Sequence, residues 1–204
     1  LQAGHYATDG VSSIHNKRSA SYNPDRDGFR NSSFSGNFAV RPADGHEVGI
    51  SYLASDGASR YDSGPSTPTQ KKDIKNHQDV SNQSIWSRNR LTKNWTSTLR
   101  VGRSTDKSTQ ALDGVETGTI KTTQDQYVWQ NDLKLSSGSV LLAAEYLRQS
   151  VSGTTDYAVD ERSIRSLLAG WTVGIDDHQL QFNLRRDDNS QFGGKTTGSA
   201  TYGY

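Results

Sequence analysis

Between Asn23 and Gly28 the chain reads Asn-Pro-Asp-Arg-Asp-Gly. Asn23, Asp25 and Asp27 put an amide oxygen and two carboxylates at alternate positions before a glycine. Hard cations such as calcium take roughly six to eight oxygen ligands, and an alternating Asp/Asn run supplies several of them from one side of a tight turn. The run matches the first half of an EF-hand loop, D-x-[DN]-x-[DN]-G. The second half is missing: Phe34 stands where a bidentate Glu belongs, and the residues after Gly28 alternate like a strand. A cation held here needs further ligands from elsewhere in the chain. The same residues also suit a plain solvated turn, because Asn-Pro-Asp and Asp-Gly are turn dipeptides.

Other chemistries find little support. His5, His15, His46, His77 and His178 are scattered, and none stands in a legible Ser/His/Asp constellation. His15 and His77 fall in expected loops, and His46 and His178 just after tight turns, so surface histidines are the expectation. No phosphate-binding glycine loop and no zinc spacing occur. There are no cysteines, hence no disulfide framework. The net charge of +1 over 204 residues gives no bulk attraction to nucleic acid, and none is expected as a partner. Binding rather than bond-making is the expectation: not an enzyme.

The elements that must carry these residues show period-two alternation. Phe34, Phe38 and Val40 share a parity in 28–41; Val48, Ile50 and Tyr52 in 45–56; Trp95, Leu99 and Val101 in 95–105. Tyr127, Trp129, Leu133 and Leu135 alternate with Gln126, Gln130, Asp132 and Lys134 in 122–135. Val140, Leu142, Ala144 and Tyr146 follow, then Leu167, Ala169, Trp171 and Val173, then Leu180, Phe182 and Leu184. The segment 79–92 is less regular, because the parity of Val80 carries Trp86 but also Arg88 and Arg90. With 1–8 and 194–204 this predicts ten strands and no helix.

Short connections near 42–44, 93–94, 136–138 and 175–177 alternate with long polar ones near 9–27, 57–78, 106–121 and 152–159. All four prolines lie in connections. Tight turns at one end and long loops at the other describe an all-β, antiparallel transmembrane barrel with short periplasmic turns and long extracellular loops. One strand face meets lipid and the other a wet lumen, so an apolar content of 31% suffices. Tyr52, Trp86, Trp95, Tyr127, Trp129, Tyr146 and Trp171 are expected in aromatic girdles. Ten strands do not close a wide barrel, so residues 1–204 are expected to be one partial barrel domain. With Leu1 already in a strand-like pattern and no Met, the chain is expected to be an internal piece of a longer one.

Three stretches resemble the TonB-dependent outer-membrane transporters for cobalamin. They are Asn23-Pro24-Asp25-Arg26-Asp27-Gly28-Phe29, the pair Tyr61-Asp62 followed by Asp73, and Arg186-Asp187-Asp188-Asn189-Ser190-Gln191-Phe192-Gly193. Their order and spacing match, so the resemblance covers most of the chain. It implies an arc from the early and middle strands of a 22-stranded barrel, with the plug domain, TonB box and later strands absent. It implies calcium-binding extracellular loops, with side-chain oxygens from Asn23, Asp25, Asp27, Asp62 and Asp73, the backbone carbonyl of Tyr61, and Asp9 as a further ligand. Ser63 and Thr119 match substrate-contacting positions. The implied cofactor is calcium; the implied partners are cobalamin, TonB acting through the absent plug, and outer-membrane lipid. The implied location is the outer membrane of a Gram-negative bacterium. Three other readings stay open on the residues alone: a transporter of the same class for siderophores or haem, a passive porin, and a soluble carbohydrate-binding β-sandwich.

Overall fold

The computed structural model describes residues 1–204 apart from 13, 15, 63 and 65–71. Ten strands form one sheet in sequence order, every neighbour antiparallel. They are β1 (Gln2–Thr8), β2 (Phe29–Ala43), β3 (His46–Asp62), β4 (Asp73–Thr92), β5 (Trp95–Leu112), β6 (Val115–Leu135), β7 (Gly138–Gly153), β8 (Glu161–Ile175), β9 (His178–Asn189) and β10 (Gly193–Gly203). Residues 44–45, 93–94, 136–137 and 176–177 make the tight turns at one end, as the sequence predicts.

The register assembles the alternating side chains into continuous rows. Ile50, Ile85, Val101, Tyr127 and Tyr146 are successive cross-strand partners. Ser87, Leu99, Trp129, Ala144 and Leu167 continue from Val48 in the next row. Apart from the half-buried Tyr146, the large side chains of these rows stay exposed: Leu99 is 52% and Trp129 50% accessible. Among the described residues only Ala58, Ile74 and Val173 are buried hydrophobics. A sheet with an apolar band on one face and almost no dry core is built to meet lipid. The other face is polar. Arg185 there holds Glu145 at 3.0 Å and Asp187 at 2.9 Å, and Ser166 Oγ donates to Asp187.

Several expectations change. The loop expected over 106–121 is instead a two-residue hairpin turn, Asp113-Gly114. Both residues have positive φ, +48° and +85°, the backbone that a tight hairpin with the strands' own twist requires. The loop expected over 57–78 shrinks, because β3 runs to Asp62 and β4 starts at Asp73. His77 therefore lies in a strand. Trp86 leaves the expected girdle: it sits on the polar face, its ring lying where a Cβ on Gly49 would be.

Strands β3 to β6 hold 17 to 21 residues, whereas about 9–11 cross a membrane. Their far halves, from about Asp56 on β3 and Asp79 on β4 outward, stand clear of the apolar band. That overshoot carries Asp62 and Asp73 at its tip.

Candidate cation site at the outer end of β3 and β4

Asp62 is the last residue of β3 and Asp73 the first of β4, and the two are cross-strand partners. The connection between β1 and β2 folds over this rung. Gly10 takes φ +65° as the chain leaves β1. Asp27 N–H then donates to Val11 O at 3.4 Å, Gly28 N–H to Arg26 O, and Arg60 N–H to Gly28 O at 3.0 Å, which pins the connection to β3. Ser12 Oγ donates to Asn23 O at 2.9 Å.

These bonds bring the carboxylates together. Ligand oxygens of Asp25, Asp27 and Asp62 all lie within 4.8 Å of one another. Asp25 Oδ1, Asp62 Oδ2 and Asp73 Oδ1 are buried and accept no hydrogen bond. Asn23, 5% exposed, donates from Nδ2 to Asp62 Oδ1 at 3.3 Å. Here its amide nitrogen, rather than the expected oxygen, meets the carboxylate. Burial first, then Asp27 and Asp25, pushes the Asp62 carboxyl above its ordinary range, against the Asn23 bond. Burial and then Asp25 raise Asp73, with Arg60 opposing. Both groups stand beyond the apolar band.

Buried carboxylate oxygens with no partner are costly, at about 1–3 kcal/mol each or more when charged, and such groups mark an ion or water position. An all-oxygen, all-carboxylate set is hard, which suits calcium or magnesium rather than softer transition metals. The residues present fit such a cation.

Other expected residues fall elsewhere. Asp9 is exposed and pairs with Arg26 at 3.4 Å, so its carboxylate is not brought into the group. Tyr61 pairs with Ile74, and its ring hydroxyl accepts from Gln110 Nε2 at 2.9 Å. Thr119 sits on β6 opposite Thr109, donates to Glu116 Oε1 at 2.8 Å and is tied to Thr154 of the β7–β8 connection, away from the carboxylates. Ser63 lies outside the described residues. One contributor is absent from the sequence-based set: Asp113 in the β5–β6 turn. Its carboxylate accepts from Asp73 N–H at 3.0 Å and its own N–H donates to Asp73 O at 2.8 Å. The Asp113-Gly114 dipeptide was the available signal.

No family model matches the chain. Over 182 residues it is 28% identical to the vitamin B12 transporter BtuB of Photobacterium profundum, a match covering 88% of this chain and 29% of that protein. Its fold is similar to the solved structure of the RagAB peptide importer in the "closed-closed" state, with a TM-score of 0.64, 11% identity, and 87% of this chain covered against 30% of that one. The likeness to the RagAB importer is one of fold. The chain spans under a third of the length of either protein. Its location is the outer membrane of a Gram-negative bacterium, which it crosses with strands; no helix among the described residues is long and apolar enough to do so. The tight-turn end is then periplasmic, and the Asp62–Asp73 rung is extracellular.

Proposed function

We propose that this arc belongs to a TonB-dependent outer-membrane transporter that takes up cobalamin, and that calcium orders its extracellular loops for capture. The observation that carries the reading is the convergence of Asp25, Asp27 and Asp62 within 4.8 Å, with Asp73 on the same rung. Asp25 and Asp27 come from one connection and Asp62 and Asp73 from the margins of another. A cation bound by all four ties the two together. Calcium supplies positive charge where four carboxylates otherwise repel. Asn23 and Asp113 hold Asp62 and Asp73 in place around it.

The ligand assignment rests on the three matching stretches and on the similarity to a vitamin B12 transporter. Capture follows as a population shift: if the ordered loops are a minor state without metal, apparent affinity falls by that fraction. TonB then supplies energy through a plug. The test is cobalamin binding to the full-length protein, titrated with calcium from a chelated start. Affinity should rise with calcium and magnesium should substitute poorly, since magnesium keeps its water and demands a strict octahedron. Equal affinity in chelator and in excess calcium removes the calcium mechanism. Tight siderophore binding with no corrinoid affinity removes the ligand assignment and leaves the transporter class.

A further inference from the structure

Among the described residues a second group of ligand atoms converges, again on β3 and β4. Carboxylate oxygens of Asp56 and Asp79 and a ring nitrogen of His77 all lie within 4.8 Å of one another. His77 Nε2 stands 3.0 Å from Asp56 Oδ2 and 3.3 Å from Asp79 Oδ1.

Strand periodicity and register build this group. His77 and Asp79 are two apart on β4 and share its face. Asp56 of β3 is the direct cross-strand partner of Asp79. Two carboxylates set opposite each other repel and weaken the ladder. Lys107 of β5 flanks Asp79 on its other side, and Ser32 of β2 flanks Asp56. A single ammonium offsets only one charge of the pair. The imidazole is placed to answer both carboxylates, yet Nε2 has at most one proton to share between two oxygens.

A metal ion answers all three groups at once. Donors about 2.1 Å from a common zinc ion stand roughly 3.0 Å apart at a right angle and roughly 3.4 Å apart at the tetrahedral angle. Both separations at Nε2 fall in that span. Imidazole with two carboxylates suits zinc and its borderline neighbours, whereas calcium and magnesium want oxygen alone. The three side chains are 33% to 54% exposed, so water can complete the shell. The Asp56–Asp79 rung lies six residues along β3 from the Asp62–Asp73 rung, roughly 20 Å. An ion here therefore shares no ligand with the all-carboxylate site.

We infer that Asp56, His77 and Asp79 form a second cation site, which takes a borderline divalent metal of the zinc class. The bound metal turns repulsion between Asp56 and Asp79 into coordination. It clips β3 to β4 part-way between the apolar band and the outermost rung.

The test uses the full-length, tag-free protein in detergent, in excess calcium to keep zinc off the all-oxygen rung. Zinc chloride is titrated by calorimetry, and cobalt(II) serves as a spectroscopic stand-in. The parent should bind zinc under these conditions. His77→Gln should weaken it on the order of 100-fold, since a lost ligand costs at least as much as a lost partner of a ligand. The visible cobalt spectrum of the parent should change in step. Asp56→Asn should also lose zinc, with strand content by circular dichroism unchanged in both variants. His46→Gln, at the periplasmic end and bonded to Asn89 at 2.9 Å, should alter neither readout. Undiminished zinc affinity in His77→Gln overturns the inference, as does equal loss in His46→Gln. Displacement of zinc by magnesium at similar concentration also overturns it, because it shows carboxylates acting without the imidazole.

Discussion

Asp62 and Asp73 face each other across the last rung of the β3–β4 ladder, two carboxylates where a stable ladder wants opposite charges. Asp25 and Asp27 close over them, so the repulsion grows instead of being relieved. Under the proposed function these four acids hold a cation, and the behaviour of the rung with pH and on substitution follows.

The first prediction concerns pH. The carboxyls of Asp62 and Asp73 are both raised above the ordinary 3.8, chiefly by burial. A carboxyl raised in the folded state favours folding in full below its ordinary value and loses that contribution as pH rises through the raised one. The metal-free loops should therefore be better ordered in acid than at neutral pH. Protons and cation compete for the same oxygens, so calcium affinity should begin to fall on acidification at a higher pH than that at which ordinary aspartates titrate. Calorimetric calcium titrations from neutral pH into acid check it; a flat profile contradicts it.

The second separates members of the acidic set. Asp62→Asn should weaken calcium by roughly tenfold or more, because ligand charge count tunes affinity in such sites. Without metal the same change should stabilise the rung by about 0.2–1 kcal/mol by removing a cross-strand repulsion. Asp9→Asn should leave calcium affinity nearly unchanged, since Asp9 is spent on an exposed pair with Arg26 worth at most about 1 kcal/mol. Parallel titrations of the two variants decide this.

The third concerns Gly10. Its φ is +65°, and a Cβ there would overlap the carbonyl oxygen of Asp27. Gly10→Ala should cost about 1–2 kcal/mol in local backbone strain and push Asp27 out of position. The expected signature is lost calcium affinity with unchanged strand content by circular dichroism. Intact calcium binding contradicts the placement of that connection.

The fourth tests the faces. Leu99 lies in the apolar rows and Gln130 on the polar face. Leu99→Arg should cost roughly 2–4 kcal/mol of stability in lipid vesicles, and Gln130→Arg within about 0.5 kcal/mol. Equilibrium folding of the full-length protein into vesicles measures both, and equal costs contradict the face assignment.

The sequence disclosed strands well where lipid enforces alternation. The rows through Val101, Tyr127 and Trp129 were legible for that reason. It failed over 106–121, where both strand faces are wet and Thr, Ser, Gln and Lys carry no period to read. The Asp113-Gly114 dipeptide marked the turn, but the polar stretch around it masked the hairpin. Asp62 and Asp73 were recognisable as acids near each other in a loop. That they share a rung is a matter of register, which one sequence does not disclose. Trp86 illustrates the same point: its parity with Arg88 and Arg90 hinted at the polar face, yet only the pairing with Gly49 explains why a large ring fits there.

The overshoot of β3 and β4 decides where the ion comes from. Seventeen residues separate the Asp62–Asp73 rung from the periplasmic turn before His46, roughly 40 Å along the normal, against an apolar band of about 25 Å. An ion on that rung is drawn from the surrounding water and never from the cell's interior stores. Hard and soft water would then set the state of these loops differently, and the hardness of the habitat, more than the needs of the cell, would govern how readily the outer rim takes its working shape.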